Sequence, residues 1–482
     1  MKLMTRHDDH PAIQVGSWTQ SYAELQRAVH DKMELLQSLD NKSGKVALDL
    51  PDSGTFLEWA LAAWGSEQCI MILDQRLTAA EKEARLQQYR PAVVIGSDTG
   101  AGVAPTFQVE VPYQVRLCSE QEEAPDSNTL QETKHHQLAL VLFSSGSTGI
   151  PKLIRRDRAS LLTEWSSYSE EEGSPNEHAR VLCLVPVSHT FGLVSAVVHT
   201  LRCGGTIVFP EMIKPRAIVD QIAEQSITHM YGVAFHYQLL LTELEQRRHM
   251  LPGKLPLMLC SGGPLPAQLL QQYEDKLHVG IGQQYGMSEV GYIAVNFRAL
   301  HPGSVGSIAK HLSWIIDEER QLGIELPCSP YVTQQHNWIP HQEASSNRVQ
   351  PAEGILLTED LVSMDESGCL TITGRANDLV SIGGLKVKIT EVEHTLRGHP
   401  DIHDCCVIAL PHPIYGHILE AFIVWGPERW LSFDQLTQWL KQHLADYKIP
   451  RKFRVVEHIP TSAAGKILKG QLMKEIAYER SR

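Results

Sequence analysis

The stretch at 138–154, LALVLFSSGSTGIPKLI, decides how the rest of the sequence is interpreted. Its apolar first part, 138–143, is typical of a buried strand, and hydroxyl residues and glycines follow directly. In such a loop the backbone N–H groups can approach a polyanion, and the hydroxyl groups add further donors. Lys152 adds a positive charge. The stretch therefore predicts a phosphate-binding loop, with a flexible connector as the alternative. The residues of this loop are Ser144, Ser145, Gly146, Ser147, Thr148 and Gly149.

Helical and strand-like patterns alternate around this loop. Ser21 and Glu24 have the spacing of a capping box, which predicts the start of a helix. Thr78 and Glu81 repeat that spacing. Apolar runs that predict buried strands lie at 46–50, 70–73, 92–96, 181–186, 206–209 and 257–260. Such alternation favours α/β layers, so we expect a large N-terminal α/β domain with mixed, largely parallel sheets.

The last part of the chain has a different pattern. Its predicted elements are β-like runs near 369–373 and 379–388, a helix from Thr390 and Glu393 to Pro400, strands at 404–410 and 418–425, and a helix from Ser432 to about Tyr447. This order predicts a small α+β domain of ordinary size. Turn-forming residues at Gly374, Asn377 and Asp378 indicate the boundary between the domains. We therefore expect domains at 1–375 and 376–482.

The composition excludes several classes of protein. The chain has 482 residues and a net charge of −13, which argues against a nucleic-acid partner. Its nine cysteines are scattered without a C-x-x-C pair, so neither a disulfide framework nor a zinc knuckle is expected. No apolar run reaches the length of a membrane span, and the N-terminus lacks the apolar core of a signal peptide. We expect a cytoplasmic protein with no membrane partner.

Residues 144–152 resemble the phosphate loop of the superfamily of adenylate-forming, or AMP-binding, enzymes. That superfamily includes acyl- and aryl-CoA ligases and stand-alone adenylation enzymes. Further stretches resemble other elements of the family and occur in the family's order. They are 261–266 (SGGPLP), 283–291 (QQYGMSEVG), 358–360 (TED), 374–393 (GRANDLVSIGGLKVKITEVE) and 460–472 (PTSAAGKILKGQL). The resemblance covers nearly the whole chain.

The resemblance implies roles for the residues in 283–291. Tyr285 would lie against the adenine ring, and Ser288 would contact phosphate or acyl oxygens. Glu289 would bind Mg²⁺, a hard cation that prefers carboxylate and phosphate oxygens. Further nucleotide contacts are implied for Gly262, Gly263, Pro264, Gln284 and Gly286.

The resemblance also implies roles for later residues. Asp360 would accept hydrogen bonds from the ribose hydroxyls, and Arg375 would reach the ribose and phosphate region. Asn377 occupies the hinge position before the small mobile domain. Lys466 would be the lysine of that domain that reaches the substrate carboxylate and the α-phosphate. The chain departs from the family pattern at Glu359, where relatives often have glycine.

The reaction implied by the resemblance is the ATP-dependent activation of a small carboxylic acid to acyl-AMP, with release of pyrophosphate and then formation of a thioester with CoA. Lys152, Arg375, Lys466 and Mg²⁺ would neutralise the developing charge. The alternative is a stand-alone adenylation enzyme that loads the acid onto a phosphopantetheinyl carrier protein in secondary metabolism. The other hypotheses are a nucleotide-binding protein without catalytic activity and a luciferase-type oxygenase.

The acid pocket is expected at His189, Thr190, Phe191 and Gly232. Thr190 stands where relatives that activate α-amino acids have Asp, so it cannot pair with a substrate ammonium group. An amino-acid substrate is therefore disfavoured, and an aryl acid or a short- to medium-chain acyl acid is expected.

Overall fold

The computed structural model describes residues 3–39, 41, 43–75, 77–97, 107–118, 138–144, 152–251, 253–263, 265–318, 320–331, 338–340, 354–375, 379–426 and 432–459. The chain divides into two compact units. The larger takes Met1–Gln75, Ala84–Ser144 and Lys152–Asn377, and the smaller takes Arg76–Glu83, Ser145–Pro151 and Asp378–Arg482. The boundaries of functional domains, expected at 1–375 and 376–482, stay a prediction.

Strands and helices alternate from the N-terminus, as the sequence predicts. Up to residue 144 the elements are β1 (Pro11–Val15), β2 (Trp18–Ser21), α1 (Tyr22–Ser38), β3 (Lys45–Asp49), α2 (Gly54–Gly65), β4 (Cys69–Ile72), α3 (Ala79–Tyr89), β5 (Val93–Gly96), β6 (Gln114–Leu117) and β7 (Leu138–Ser144). Ser21 and Glu24 form the expected capping box at α1. The hydrogen bonds between Thr78 and Glu81 confirm the second one.

The alternation continues after the loop. From residue 152 the elements are β8 (Lys152–Asp157), α4 (Arg158–Glu170), β9 (Arg180–Cys183), a π-helix at Phe191–Val198, α5 (His199–Cys203), β10 (Thr206–Phe209), α6 (Pro215–Glu224), β11 (His229–Gly232), α7 (Ala234–Gln246), a 3₁₀ turn at Arg248–Met250, β12 (Leu257–Cys260), α8 (Ala267–Leu277), β13 (Ile281–Met287) and β14 (Gly291–Asn296).

These strands form two mixed sheets. One has the order β6-β5-β3-β4-β7-β8, and the other has the order β14-β13-β12-β11-β9-β10-β1-β2. The inner pairs are parallel, whereas the outermost pairs, such as β7 with β8 and β13 with β14, are antiparallel. Because sequential parallel strands are joined through helices, the loops after their carboxyl ends lie along one edge of a sheet.

Helix α2 packs against the first sheet, in which β7 precedes the predicted phosphate loop. Its sequence, GTFLEWALAAWG, is apolar on nearly every side, which is the pattern of a helix buried all round. Trp59 and Trp64 are fully buried. The indole Nε1 of Trp64 donates to the carbonyl oxygen of Ala139, at 2.6 Å, and so ties α2 to β7. The strand that leads into the loop therefore rests on rigid packing.

An antiparallel sheet carries the predicted ribose-binding residue. Its strands are β15 (Gly306–Ser307), β16 (Ser313–Ile316), β17 (Gln321–Leu326), β18 (Trp338–Pro340), β19 (Gly354–Met364) and β20 (Cys369–Arg375), in the order β15-β20-β19-β17-β16, with β18 on β19. Alternate residues of β19 are buried, which is the period of a strand with one face in the core. Asp360 lies on that buried face and is 4% exposed.

The smaller unit has its own apolar core. Its elements are β21 (Leu379–Ile382), β22 (Leu385–Lys388), α9 (Ile389–Arg397), β23 (Ile402–His412), β24 (Gly416–Trp425), α10 (Phe433–Leu440), a 3₁₀ turn at Asp446–Lys448 and β25 (Lys452–Val455). Strand β24 pairs antiparallel with β23 and parallel with β25. This arrangement is the α+β pattern that the sequence predicts.

Two expectations about helices in this unit were wrong. Helix α9 begins at Ile389, before Thr390, and Glu393 accepts a tertiary hydrogen bond from the backbone N of Val407 at 2.9 Å. Helix α10 ends at Leu440 rather than near Tyr447. Turns follow the helix, and they allow the side chains of both Leu444 and Lys448 to be buried. The ammonium of Lys448 lies 2.8 Å from the carboxylate of Glu391.

Candidate active site

The predicted site segments follow neighbouring parallel strands. In the order β9, β11, β12 and β13, each strand is hydrogen-bonded to the next in parallel register. His189 lies beyond the end of β9, Gly232 ends β11, Gly262 and Gly263 follow β12, and Tyr285 lies near the end of β13. Ligands of α/β proteins bind at the carboxyl ends of parallel strands. The fold thus brings four separate segments to one edge.

The motif residues Tyr285 and Asp360 contact each other directly. The hydroxyl group of Tyr285 donates to Oδ2 of Asp360 at 2.7 Å, although the two residues are 75 positions apart. Thr358 helps to hold the carboxylate in place, since its Oγ1 accepts from the backbone N of Asp360 and donates to the carbonyl oxygen of Leu322. The residues predicted for adenine and for ribose therefore occupy one place in the larger unit.

Strand β20 brings the backbone of Arg375 to the same place. Asp360 and Arg375 are direct partners in the antiparallel register of β19 and β20. Between Thr358 and Asp360, Glu359 has a φ of 62°, which is the left-handed conformation that side chains with a Cβ avoid. This conformation explains why a glycine, which has no Cβ, suits the position of Glu359. This chain keeps the conformation with Glu359, at a cost of about 1 kcal/mol.

The turn between β13 and β14 presents Ser288 and Glu289. The carboxylate of Glu289 accepts a hydrogen bond at Oε1 from the hydroxyl group of Tyr331, at 3.2 Å. The ammonium of Lys152 lies 5.3 Å from the centre of the Tyr331 ring, within the range of a cation–π contact. Tyr331 therefore contacts both Lys152 and Glu289, the residue predicted to bind Mg²⁺. Tyr331 was not predicted from the sequence, because it lies in none of the motifs that resemble the family.

A buried ion pair supports the turn that carries Glu289. Nη2 of Arg156 donates to Oε2 of Glu164 at 2.9 Å, and both side chains are 3% exposed. The other carboxylate oxygen of Glu164 accepts from the backbone N of Tyr292. Gly291 has a φ of +98°, and a Cβ there would lie 2.3 Å from Oε2 of Glu164. Only glycine fits at the base of this hairpin.

The predicted acid-pocket residues come from two adjacent strand ends. Phe191 begins the π-helix, and its ring centre lies 5.4 Å from that of Tyr231, next to Gly232. Thr190 precedes this helix without a side-chain capping bond. The Nε2 atom of His189 lies 3.8 Å from Oδ2 of Asp74. We call His189, Thr190, Phe191 and Gly232 the acid cluster, and Tyr285, Glu289 and Asp360 the nucleotide cluster.

A buried polar network lies behind the acid cluster. The amide of Gln284 donates to Ser195 Oγ at 3.0 Å and accepts from the Tyr168 hydroxyl at 2.7 Å. The hydroxyl groups of Tyr168 and Tyr231 are 3.2 Å apart. Both ends of the Gln284 amide are thus engaged inside the protein, and its predicted nucleotide contact stays a prediction. Gly286 pairs with Tyr292 in the β13–β14 hairpin.

Several predicted residues lie outside the described residues. They are Ser145, Gly146, Ser147, Thr148, Gly149, Pro264, Asn377 and Lys466. What the structure does give is the frame of the phosphate loop, since Ser144 at the end of β7 and Lys152 at the start of β8 are partners in antiparallel register. The role of the loop stays a prediction. Among the described residues, no helix has both the length and the hydropathy that a membrane span requires.

Comparison with known proteins identifies the family. The family model for the AMP-binding enzyme matches residues 2–324, more than half of the chain, and the model for the AMP-binding enzyme C-terminal domain matches residues 391–466. The chain is 27% identical over 480 residues to a feruloyl-CoA synthase of an Amycolatopsis species, covering 96% of this chain and 95% of the relative. It is 28% identical over 493 residues to a 2-succinylbenzoate–CoA ligase of Enterococcus faecalis, covering 98% and 97%.

A solved structure shares the fold. It is an o-succinylbenzoate CoA synthetase from Bacillus subtilis bound to a product analogue, with a TM-score of 0.77 and 21% identity, covering 97% of this chain and 96% of that one. The predicted fold class, mixed α/β sheets in a large N-terminal domain with a small C-terminal domain, is confirmed. The chain therefore belongs to the AMP-binding enzyme family, which confirms the resemblance of its motifs and the prediction of an AMP-forming acid–thiol ligase.

Proposed function

We propose that this enzyme activates an aryl carboxylic acid with ATP, releases pyrophosphate, and transfers the acyl group from the acyl-AMP to CoA. The observation that carries the proposal is the direct bond from Tyr285 to Asp360, because it joins the residues proposed for adenine and ribose in one cluster. The aryl class is supported by the names of the relatives, a feruloyl-CoA synthase and a 2-succinylbenzoate–CoA ligase.

In the proposed first half-reaction, two anions must meet. The substrate carboxylate attacks the α-phosphate of ATP, so positive charge has to offset their repulsion. Lys152, Arg375 and Lys466 are proposed to supply this charge. Asp360 would accept from the vicinal ribose hydroxyls, and Tyr285 would support the adenine ring. In the second half-reaction the thiol attacks the carbonyl carbon of the acyl-AMP and AMP leaves.

The residues around Glu289 fit a magnesium ion. The carboxylate is half-buried, and the hydroxyl of Tyr331 occupies one of its oxygens. A carboxylate oxygen and the neighbouring Ser288 hydroxyl are hard donors of the kind that Mg²⁺ binds together with phosphate oxygens. When bound, the ion would neutralise phosphate charge. The contribution of this chain would be the carboxylate of Glu289, whose position is fixed by Tyr331.

Aromatic side chains support an aryl acid. In the acid cluster, the half-buried Phe191 packs against the fully buried Tyr231, and an aromatic surface of this kind suits an aromatic ring better than a charged chain. Thr190 offers no charge to an α-ammonium group. In the first turn of α7, burial lowers the pKa of His236 to about 4, so its ring is neutral at pH 7 and its Nδ1 accepts from the backbone N of Val233.

A cytoplasmic location is also proposed. All nine cysteines are free thiols, and most of them are buried. Free cysteines in this number fit a reducing compartment, since oxidising compartments favour disulfides.

ATP–pyrophosphate exchange tests the proposal. The purified protein is assayed with a panel of aryl acids that includes ferulate and benzoates, and with short-chain acids, medium-chain acids and amino acids. We expect exchange with aryl acids and none with amino acids. Exchange with aliphatic acids alone would contradict the proposed substrate class, and no exchange with any acid would contradict the activity.

The thiol acceptor needs a second assay. AMP release is measured with the best acid in the presence of CoA and, separately, of a phosphopantetheinylated carrier protein. We expect CoA to suffice. A strict requirement for the carrier protein would favour the alternative, a stand-alone adenylation enzyme of secondary metabolism.

A further inference from the structure

Tyr331 is fixed against the strand that begins with Lys152. Its backbone forms an antiparallel bridge with Ile154 of β8, and the backbone N of Arg155 donates to the carbonyl oxygen of Pro330 at 2.9 Å. The Arg155 side chain adds a bond to the carbonyl oxygen of Ser329 at 3.0 Å. Tyr331 is 6% exposed. The ring is therefore held by backbone pairing and by burial, and it does not depend on a ligand for its position.

The hydroxyl group of Tyr331 constrains Glu289. It donates to Oε1 of the carboxylate at 3.2 Å. A phenol has an ordinary pKa of about 10, so at neutral pH it carries its proton and acts as a donor to the carboxylate. One oxygen of Glu289 is thus restrained from one side, which reduces the number of orientations that the carboxylate can adopt.

The ring of Tyr331 contacts the other charge. Nζ of Lys152 lies 5.3 Å from the ring centre, where the negative face of the π-system attracts a cation. Cation and carboxylate therefore approach different parts of one residue, the face and the hydroxyl group. A single side chain can set the positions of both charges through two independent contacts.

We propose that Tyr331 is a positioning residue for Mg²⁺-bound ATP, with its hydroxyl group orienting Glu289 for the metal and its ring orienting Lys152 for the phosphates. This inference rests on the proposed function, since it assigns Glu289 and Lys152 to ATP. It adds a residue that no motif indicates. The two contacts make separable predictions, because only the one through Glu289 depends on the metal.

Calorimetric titration with ATP, in Mg²⁺ and in EDTA, separates the two contacts. In Tyr331→Phe the ring remains, so the Kd for metal-free ATP should equal that of the wild type. The Kd for Mg²⁺-bound ATP should rise about tenfold, the effect of one hydrogen bond to a charged group. In Tyr331→Leu both contacts are lost, so the Kd values for both forms of ATP should rise.

A matched control is Tyr89→Phe. Tyr89 is also buried, and its hydroxyl group donates to the carbonyl oxygen of Cys69 in the core. This variant should bind both forms of ATP like the wild type. Thermal unfolding of each variant shows whether it is folded.

Three results would overturn the proposal. One is a Tyr331→Phe variant with wild-type affinity for Mg²⁺-bound ATP. Another is an equal loss for both forms of ATP in that variant, which would indicate a structural role only. The third is a wild-type protein that binds neither form. If the wild type binds ATP but exchanges pyrophosphate with no acid, the proposed function fails, whereas the ratio of the two affinities still decides the role of Tyr331.

Discussion

The nucleotide cluster and the acid cluster are built differently. In the nucleotide cluster, Tyr285 and Glu289 are joined through hydrogen bonds to side chains that are distant in sequence, Asp360 and Tyr331. In the acid cluster, the Phe191 ring lies tilted beside the Tyr231 ring, and Nε2 of His189 lies 3.8 Å from Oδ2 of Asp74. A constant substrate such as ATP permits fixed polar partners. The acid differs between relatives, so it favours a pocket that recognises shape and apolar surface. Residues of such a pocket can be substituted without loss of a fixed polar contact.

The largest expected effect separates the nucleotide chemistry from acyl transfer. Lys466→Ala should lower ATP–pyrophosphate exchange by about 1,000-fold, because the proposed role of Lys466 is to stabilise the developing charge. The same variant should still convert pre-formed acyl-AMP to the thioester. Both half-reactions are measured, the second with synthetic acyl-AMP and CoA. An equal loss in both would show that the assigned role of Lys466 is wrong.

A smaller effect is expected inside the nucleotide cluster. Tyr285→Phe keeps the ring but removes the bond to Asp360, so the KM for ATP should rise about tenfold. The order of preference among acids should not change. Steady-state exchange with two acids checks both statements. A change in that order would mean that the two clusters are coupled.

A substitution in the acid cluster should change the preference among acids and leave the KM for ATP unchanged. Phe191→Ala removes one aromatic wall and should change the ratio of kcat/KM between an aryl and a small aliphatic acid severalfold, within the range for a cavity contact. The KM for ATP should stay at the wild-type value. The assay is exchange with each acid over a range of ATP concentrations. If the KM for ATP rose while the acid ratio was constant, Phe191 would belong to the nucleotide cluster.

The smallest effect concerns stability. Glu359→Gly should raise the free energy of unfolding by about 1 kcal/mol, because glycine adopts the left-handed conformation without the Cβ clash. Ser363→Gly in the same strand is the matched control, and it should lower stability, since Ser363 has no such conformation to relieve. Urea unfolding measures both. A destabilised Glu359→Gly would show that the Glu359 side chain makes a stabilising contact larger than the strain.

Local patterns predicted much of the fold. The capping boxes at Ser21 and Thr78 and the strand–helix alternation depend on residues a few positions apart, and the structure confirms them. The end of α10 at Leu440 was missed because it depends on where Leu444 and Lys448 become buried. Tertiary packing overrides helix propensity at such positions.

The site shows the same limit. Motifs indicated Tyr285 and Asp360, but no spacing predicts that they touch, since the two strands meet only in the tertiary fold. Tyr331 and the Arg156–Glu164 pair lie outside every motif, and only the structure shows their contacts with the motif segments. Residues that support a site through long-range contacts leave no local pattern in one sequence.

The buried carboxylate of Glu164 has a consequence for protein engineering. It fills the space beside Gly291 and bonds to the backbone of Tyr292, so the hairpin and its buried counterpart form one module. Transplanting 283–291 alone into a homologous scaffold would leave the hairpin without the buried Arg156–Glu164 pair that supports it. A chimera should therefore exchange Arg156, Glu164 and the hairpin together, and libraries that diversify position 291 should yield few folded members.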